Sequence, residues 1–95
     1  MGIAIAGSIV VHGQTAVAAA GTEVPLGPST QLCYGVRIKA LHGNAGWIYV
    51  GGNPVTAATG YVLDNGEEVF IEVADLASIY IDASVNADGV SYIGG

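Results

Sequence analysis

The chain is poor in cations. Two Lys+Arg stand against eight Asp+Glu in 95 residues, a formal net charge of −6, and only 11% of residues are charged. Two cations neutralise too few phosphates for nucleic acid, so no nucleic-acid partner is expected. Cysteine is nearly missing as well. Cys33 is alone, so it has no intrachain disulfide partner, and the fold must be held by packing, as is usual in a reducing compartment. One Cys and the separated His12 and His42 fall short of the three or four close ligands of a zinc site. Asp82, Asn86 and Asp88 with Gly89 faintly suggest a calcium loop, but the EF-hand spacing and its closing Glu are missing. They read as ordinary turn residues. No metal and no cofactor are expected.

Long apolar runs are missing too. No stretch reaches 18 uninterrupted apolar residues, which argues against a spanning helix and against a membrane partner. The opening segment to Gly21 has no Lys or Arg, unlike a secretory signal, and His12, Gly13 and Gln14 interrupt it before the small residues Ala18 to Ala20. Ala6 stands where a myristoylation motif needs Ser or Thr. The chain therefore reads as soluble and unprocessed apart from removal of Met1. No GxGxxG or Lys-bearing phosphate loop is present. Glu67 and Glu68 are adjacent, point to opposite sides of a strand and cannot act as an acid/base pair. Cys33 reads as a small strand residue and both histidines as solvated or locally hydrogen-bonded. No catalytic residue is assigned, and the chain is not expected to be an enzyme.

What the chain has is apolar residues and glycine: 52% hydrophobic, with 15 glycines. So small a domain leaves much of its surface exposed, and excess apolar surface marks association. Partner subunits follow.

Alternation supplies the strands. Ile3, Ile5, Ile9 and Val11 alternate with small residues. Gly13-Gln14 is read as a turn into a second strand, Thr15 to Ala20, and Thr22 to Pro28 as a connection. Gln31 to Leu41 is read as one long strand, with Tyr34, Val36, Ile38 and Ala40 on one face and Cys33, Arg37 and Lys39 on the other. His42 to Gly46 is a turn and Trp47 to Val50 the returning strand. Tyr61 to Leu63, Glu67 to Val73, Ser78 to Ala83 and Val90 to Ile93 follow, with turns at Asp64-Asn65-Gly66 and Asn86 to Gly89. A long helix has no support. About seven to eight short strands describe an all-β, single small antiparallel β-sandwich, jelly-roll or Greek-key like. Residues 1–95 form one domain, with N-terminal strands in 1–30 and the core sandwich in 31–95.

If Val36, Ile38, Ile48, Val50, Val69, Ile71, Ile79 and Ile81 form the core, the opposite face presents Arg37, Lys39, Trp47, Tyr49, Phe70 and Tyr80 beside Glu68, Glu72 and Asp82. Cross-strand ion pairing explains part of this face. The residue types are also those enriched at interfaces. The candidate interface is therefore Ile3, Ile5, Ile9, Val11, Arg37, Lys39, Trp47, Tyr49, Phe70 and Tyr80.

From Val36 to Asp82 an ordered series of pieces carries a resemblance. It runs through an alternating strand, a Gly43-Asn44-Ala45-Gly46 turn, and the arm Ile48-Tyr49-Val50-Gly51-Gly52. Val55-Thr56-Ala57 with Gly60, the Asn65-Gly66-Glu67 turn, and Asp75-Leu76 with Ile79-Tyr80-Ile81-Asp82 complete it. This series resembles the small β-sandwich virion structural proteins of tailed bacteriophages, which decorate heads or build tail and fibre parts. The resemblance implies a non-enzymatic capsid decoration or cement protein, made in the host bacterial cytoplasm and placed on the capsid surface of the virion. It implies a homo-oligomer, trimer favoured over dimer, bound to the major capsid protein. Such a clamp, binding only the mature head, would stabilise it by mass action and multivalency. The apolar segment Ile3 to Ala20 is the expected oligomer or capsid contact. Two alternatives are a tail, collar or fibre-base protein, and a carbohydrate-binding module stacking sugars on Trp47, Tyr49 or Tyr80. An enzyme would require a polar pocket converging on His12 or His42.

Overall fold

A computed structural model describes residues 9–95; the expectations for Ile3 and Ile5 lie outside the described residues. The strands are β1 (Val11–Ala16), β2 (Val24–Pro25), β3 (Val36–Ala40), β4 (Ile48–Gly51), β5 (Tyr61–Leu63), β6 (Glu68–Ile71), β7 (Tyr80–Ala83) and β8 (Gly89–Gly94). A 3-10 turn, Leu76–Ser78, lies between β6 and β7. They form two antiparallel four-stranded sheets, ordered β1-β8-β3-β6 and β2-β7-β4-β5. The architecture is the all-β sandwich expected from the alternation.

Period-2 patterning explains which sides face inward. Val36, Ile38 and Ala40 of β3, Ile48 and Val50 of β4, Ile81 of β7 and Val90 of β8 are buried together, and Arg37, between two of them, is exposed. Among consecutive strands only β4 and β5 pair as a hairpin; every other connection crosses from one sheet to the other. This is the eight-stranded jelly-roll wiring.

That wiring corrects several sequence expectations. The His42–Gly46 turn does not return β3 onto β4 as a hairpin; it carries the chain across the sandwich. Its polar residues clamp one loop to another. Asn44 donates to the Gly89 carbonyl and accepts the Gly89 N–H, both at 2.9 Å. Asp88 accepts the N–H groups of Ala45 and Gly46 at 2.9 and 2.8 Å, and Asn65 donates to the Asn44 carbonyl at 2.6 Å. One end of the sandwich is thus tied by side chains that satisfy backbone groups no ladder reaches.

Gly13-Gln14 is not a turn either. Both lie within β1, and Gly13 is there because a Cβ would stand 2.7 Å from the Tyr92 hydroxyl. The strand expected over Thr15 to Ala20 ends at Ala16. The long strand expected from Gln31 shortens to β3: a Cβ on Gly35, at φ +149°, would strike the Ile71 carbonyl. Tyr34 therefore does not share the buried face of Val36 but is exposed. Cys33 is exposed and outside any strand. Within Thr22 to Pro28 lies β2, an edge strand whose Pro25 needs no ladder donor. The sandwich does not begin at residue 31. β1 and β2 complete the two sheets, and Val17 and Leu26 are fully buried in the core.

Candidate functional site

The expected interface residues separate onto two faces. Arg37, Lys39 and Phe70 belong to the β1-β8-β3-β6 sheet, Tyr49 and Tyr80 to the other, with Trp47 just before β4. A single surface carrying all six does not form, because β3 and β4 are in different sheets.

The outer face of β2-β7-β4-β5 is covered over its central strands, while Val62 on the edge strand β5 stays exposed. Tyr49 is only 7% exposed, with Gly60 of the 52–60 loop packed so close that a Cβ there would stand 2.6 Å from the Tyr49 Cβ. Asp82 is buried too. Its Oδ1 accepts the Gly21 N–H at 3.0 Å and the Ala83 N–H at 2.8 Å, anchoring the segment after β1 across this sheet. Tyr80 is half-buried and Trp47 exposed. The three rings proposed for sugar stacking therefore do not form one open platform.

Among the described residues nothing covers the outer face of β1-β8-β3-β6, which is ordered in rows by the strand register. His12 stands opposite Ile93, Ile93 opposite Arg37, and Arg37 opposite Phe70. The next row runs Gln14, Ser91, Lys39, Glu68. Arg37 bridges diagonally to Glu68 at 3.0 Å, and its guanidinium carbon lies 5.6 Å from the centre of the Phe70 ring. Such exposed pairs add little stability; they hold the charged heads in place. Ser91, the small residue in the middle, opens a shallow depression of about 420 Å³ lined by His12, Gln14, Arg37, Lys39, Glu68 and Ile93, so His12 borders a polar hollow while His42 does not. A second hollow of about 230 Å³ lies between Val10, Tyr34 and Phe70. Val10, Tyr34, Phe70 and Ile93 form an exposed apolar band at one end of this face.

Charge sets the face apart. Both cations of the chain and two of its eight carboxylates, Glu68 and Glu72, lie here. The other six acids, with no cation, lie elsewhere. The face is neutral on a strongly acidic molecule.

Sequence reasoning missed His12, Gln14, Ser91, Tyr34 and Ile93 as members. The signal was the His12-Gln14-Ala16 alternation, readable only once β1 is known to pair with β8. Of the N-terminal candidates, Ile9 is exposed at the end of the face, but Val11 is turned inward and packs on the core. Val11 is thus corrected from interface to core support.

Away from this face, Asp75 caps the 3-10 turn, accepting N–H bonds from Ala77 at 2.9 Å and Thr30 at 3.1 Å and a Ser29 hydroxyl at 2.8 Å. The Ala77 bond first, then those of Ser29 and Thr30, hold its carboxyl below the usual range. These bonds are local and structural. Among the described residues no three His, Cys, Asp or Glu side chains gather as metal ligands, and no helix is long and apolar enough to cross a membrane. Compared with protein-family models, with curated proteins and with solved structures, the chain matches none.

Proposed function

We propose that this protein is a non-enzymatic structural component of a tailed-bacteriophage virion, a capsid decoration or cement protein. It binds the major capsid protein of the mature head as a homo-oligomer and stabilises that head. The observation that carries the reading is the bare β1-β8-β3-β6 face. An apolar band beside a fixed Arg-Glu pair has the make-up of an interface core with a polar rim, and a rigid sandwich presents it with little ordering cost on binding. A jelly roll alone does not choose a function, since the fold serves many. The virion assignment rests on the ordered motif series from Val36 to Asp82.

By this reading each copy contributes a modest contact, and oligomerisation multiplies it. Binding only the expanded head would shift the shell toward its mature arrangement. The test is cryo-EM localisation on virions, joined to binding assays on expanded and unexpanded heads. The reading expects density on the capsid surface and binding to expanded heads alone. Density confined to the tail, collar or fibre base assigns the protein there instead, and equal binding to unexpanded heads overturns the clamp. Truncation should remove only Met1–Ser8, because a cut at Gly13 would remove half of β1.

A further inference from the structure

A sheet edge left open invites another strand, and natural proteins blunt such edges with charge, proline or shortness. Four edges bound the two sheets here. β2 has two residues and contains Pro25. β5 has three. β6 carries Glu68 and is followed by Glu72. β1 is different: six residues, Val11 to Ala16, with no Pro and no Lys, Arg, Asp or Glu.

Among the described residues nothing pairs with the other side of the β1 backbone. The Val17 N–H donates to the Asp88 carbonyl at 2.9 Å, so odd-numbered residues turn their peptide groups toward β8. Gly89, opposite Ala16, spends both peptide groups elsewhere: its N–H on Asn44 and its carbonyl on the Leu41 N–H. His12, Gln14 and Ala16 therefore direct their N–H and C=O groups away from the sheet, and among the described residues none of these groups has a partner.

We propose that this edge pairs antiparallel with β1 of a second copy about a two-fold axis, joining two sheets into one of eight strands. An antiparallel pair of identical strands is self-complementary, as a two-fold contact requires. An uncharged strand brings no like charges together across the axis. Pairing places two copies of the bare face side by side on one continuous surface, a bivalent docking plane for the same partner. The proposal rests on reading the protein as a homo-oligomer, and it replaces the three-fold arrangement that the resemblance favours with a two-fold one. One strand pair buries less than a standard interface, so association is concentration-dependent.

The test is residue-resolved amide exchange by NMR on the full chain at rising concentration, with sedimentation velocity alongside. The amides of His12, Gln14 and Ala16 should gain at least tenfold protection as dimer forms, while Gly13 and Thr15 are protected throughout. Gln14→Pro, which removes one outward donor, and His12→Lys with Gln14→Lys, which adds like charge at the edge, should each weaken dimerisation at least tenfold. The unchanged melting of the lysine variant shows that its fold is kept. A trimer, or a dimer in which the three even-numbered amides stay unprotected, overturns edge pairing while leaving the homo-oligomer reading standing. A monomer at every concentration on and off heads overturns both.

Discussion

The two sheets of this sandwich have the same number of strands and nearly the same alternation, yet their outer faces have opposite fates. On β2-β7-β4-β5 the loops double back, burying Tyr49 and fixing Asp82 beneath the segment after β1. On β1-β8-β3-β6 no described loop crosses. Phe70 and Ile93 remain 45% and 55% exposed, and both of the protein's cations stand beside them. An aromatic residue on an outward strand position is thus core on one side and surface on the other. The difference is made by loops, and it tells which face is available to a partner.

The sharpest way to break this comparison is to truncate one ring on each face. Tyr49→Ala should cost about 3 kcal/mol, the usual scale for a buried aromatic, and lower the melting temperature by upwards of roughly 10 °C in a domain this small. Phe70→Ala should cost under about 1 kcal/mol, in keeping with a surface position, and show its effect in head binding instead. Equal losses of stability would mean that the two faces are covered alike.

Asp82→Ala comes next. It leaves the Gly21 N–H without its acceptor and should cost about 1–3 kcal/mol in denaturant unfolding, with faster proteolysis after Val17. The segment's release would expose Tyr49's sheet and bring the two faces closer in character. Unaltered stability and cleavage would show that the segment does not depend on this anchor.

Asp75 is half-buried beside the 3-10 turn, and acid titration separates its role from those of both faces. The Ala77, Ser29 and Thr30 bonds hold its folded-state carboxyl below its ordinary unfolded value. Its contribution is therefore complete above that value and is lost as pH falls through the lower folded one. Asp75→Asn should flatten that part of the acid limb and leave the neutral-pH oligomer unchanged. An acid limb identical to the parent's would contradict the assignment. Arg37→Ala gives the smallest change in stability, at most about 1 kcal/mol for an exposed pair, with the larger loss seen in binding.

Much of the fold was legible. The Val36-Ile38-Ala40 and Val69-Ile71 alternations gave strand positions and inward sides, and Asp64-Asn65-Gly66 gave a turn. The wiring was not legible, because a strand alternates identically whether its neighbour pairs with it or faces it across the core. Asn44, Asp88 and Asn65 looked like turn residues and are turn residues. Their second task, clamping loops from different crossings, depends on partners 21 to 45 positions away. The site was half legible for the same reason. Arg37, Lys39 and Phe70 were placed correctly relative to one another by local alternation. Tyr49 was misplaced because its cover comes from Gly60 and not from its own strand. Gly13 misled most: glycine there admits the Tyr92 ring inside a strand, where sequence reasoning expected a bend.

Hydroxyl-radical footprinting of the protein, free and bound to expanded heads, tests the docking face most directly. Phe70, Ile93 and Tyr34 should lose labelling on binding, while Trp47 and Tyr61, exposed just before β4 and on the edge strand β5 of the other sheet, keep theirs. Protection of Trp47 and Tyr61 with Phe70 and Ile93 still labelled would contradict the account.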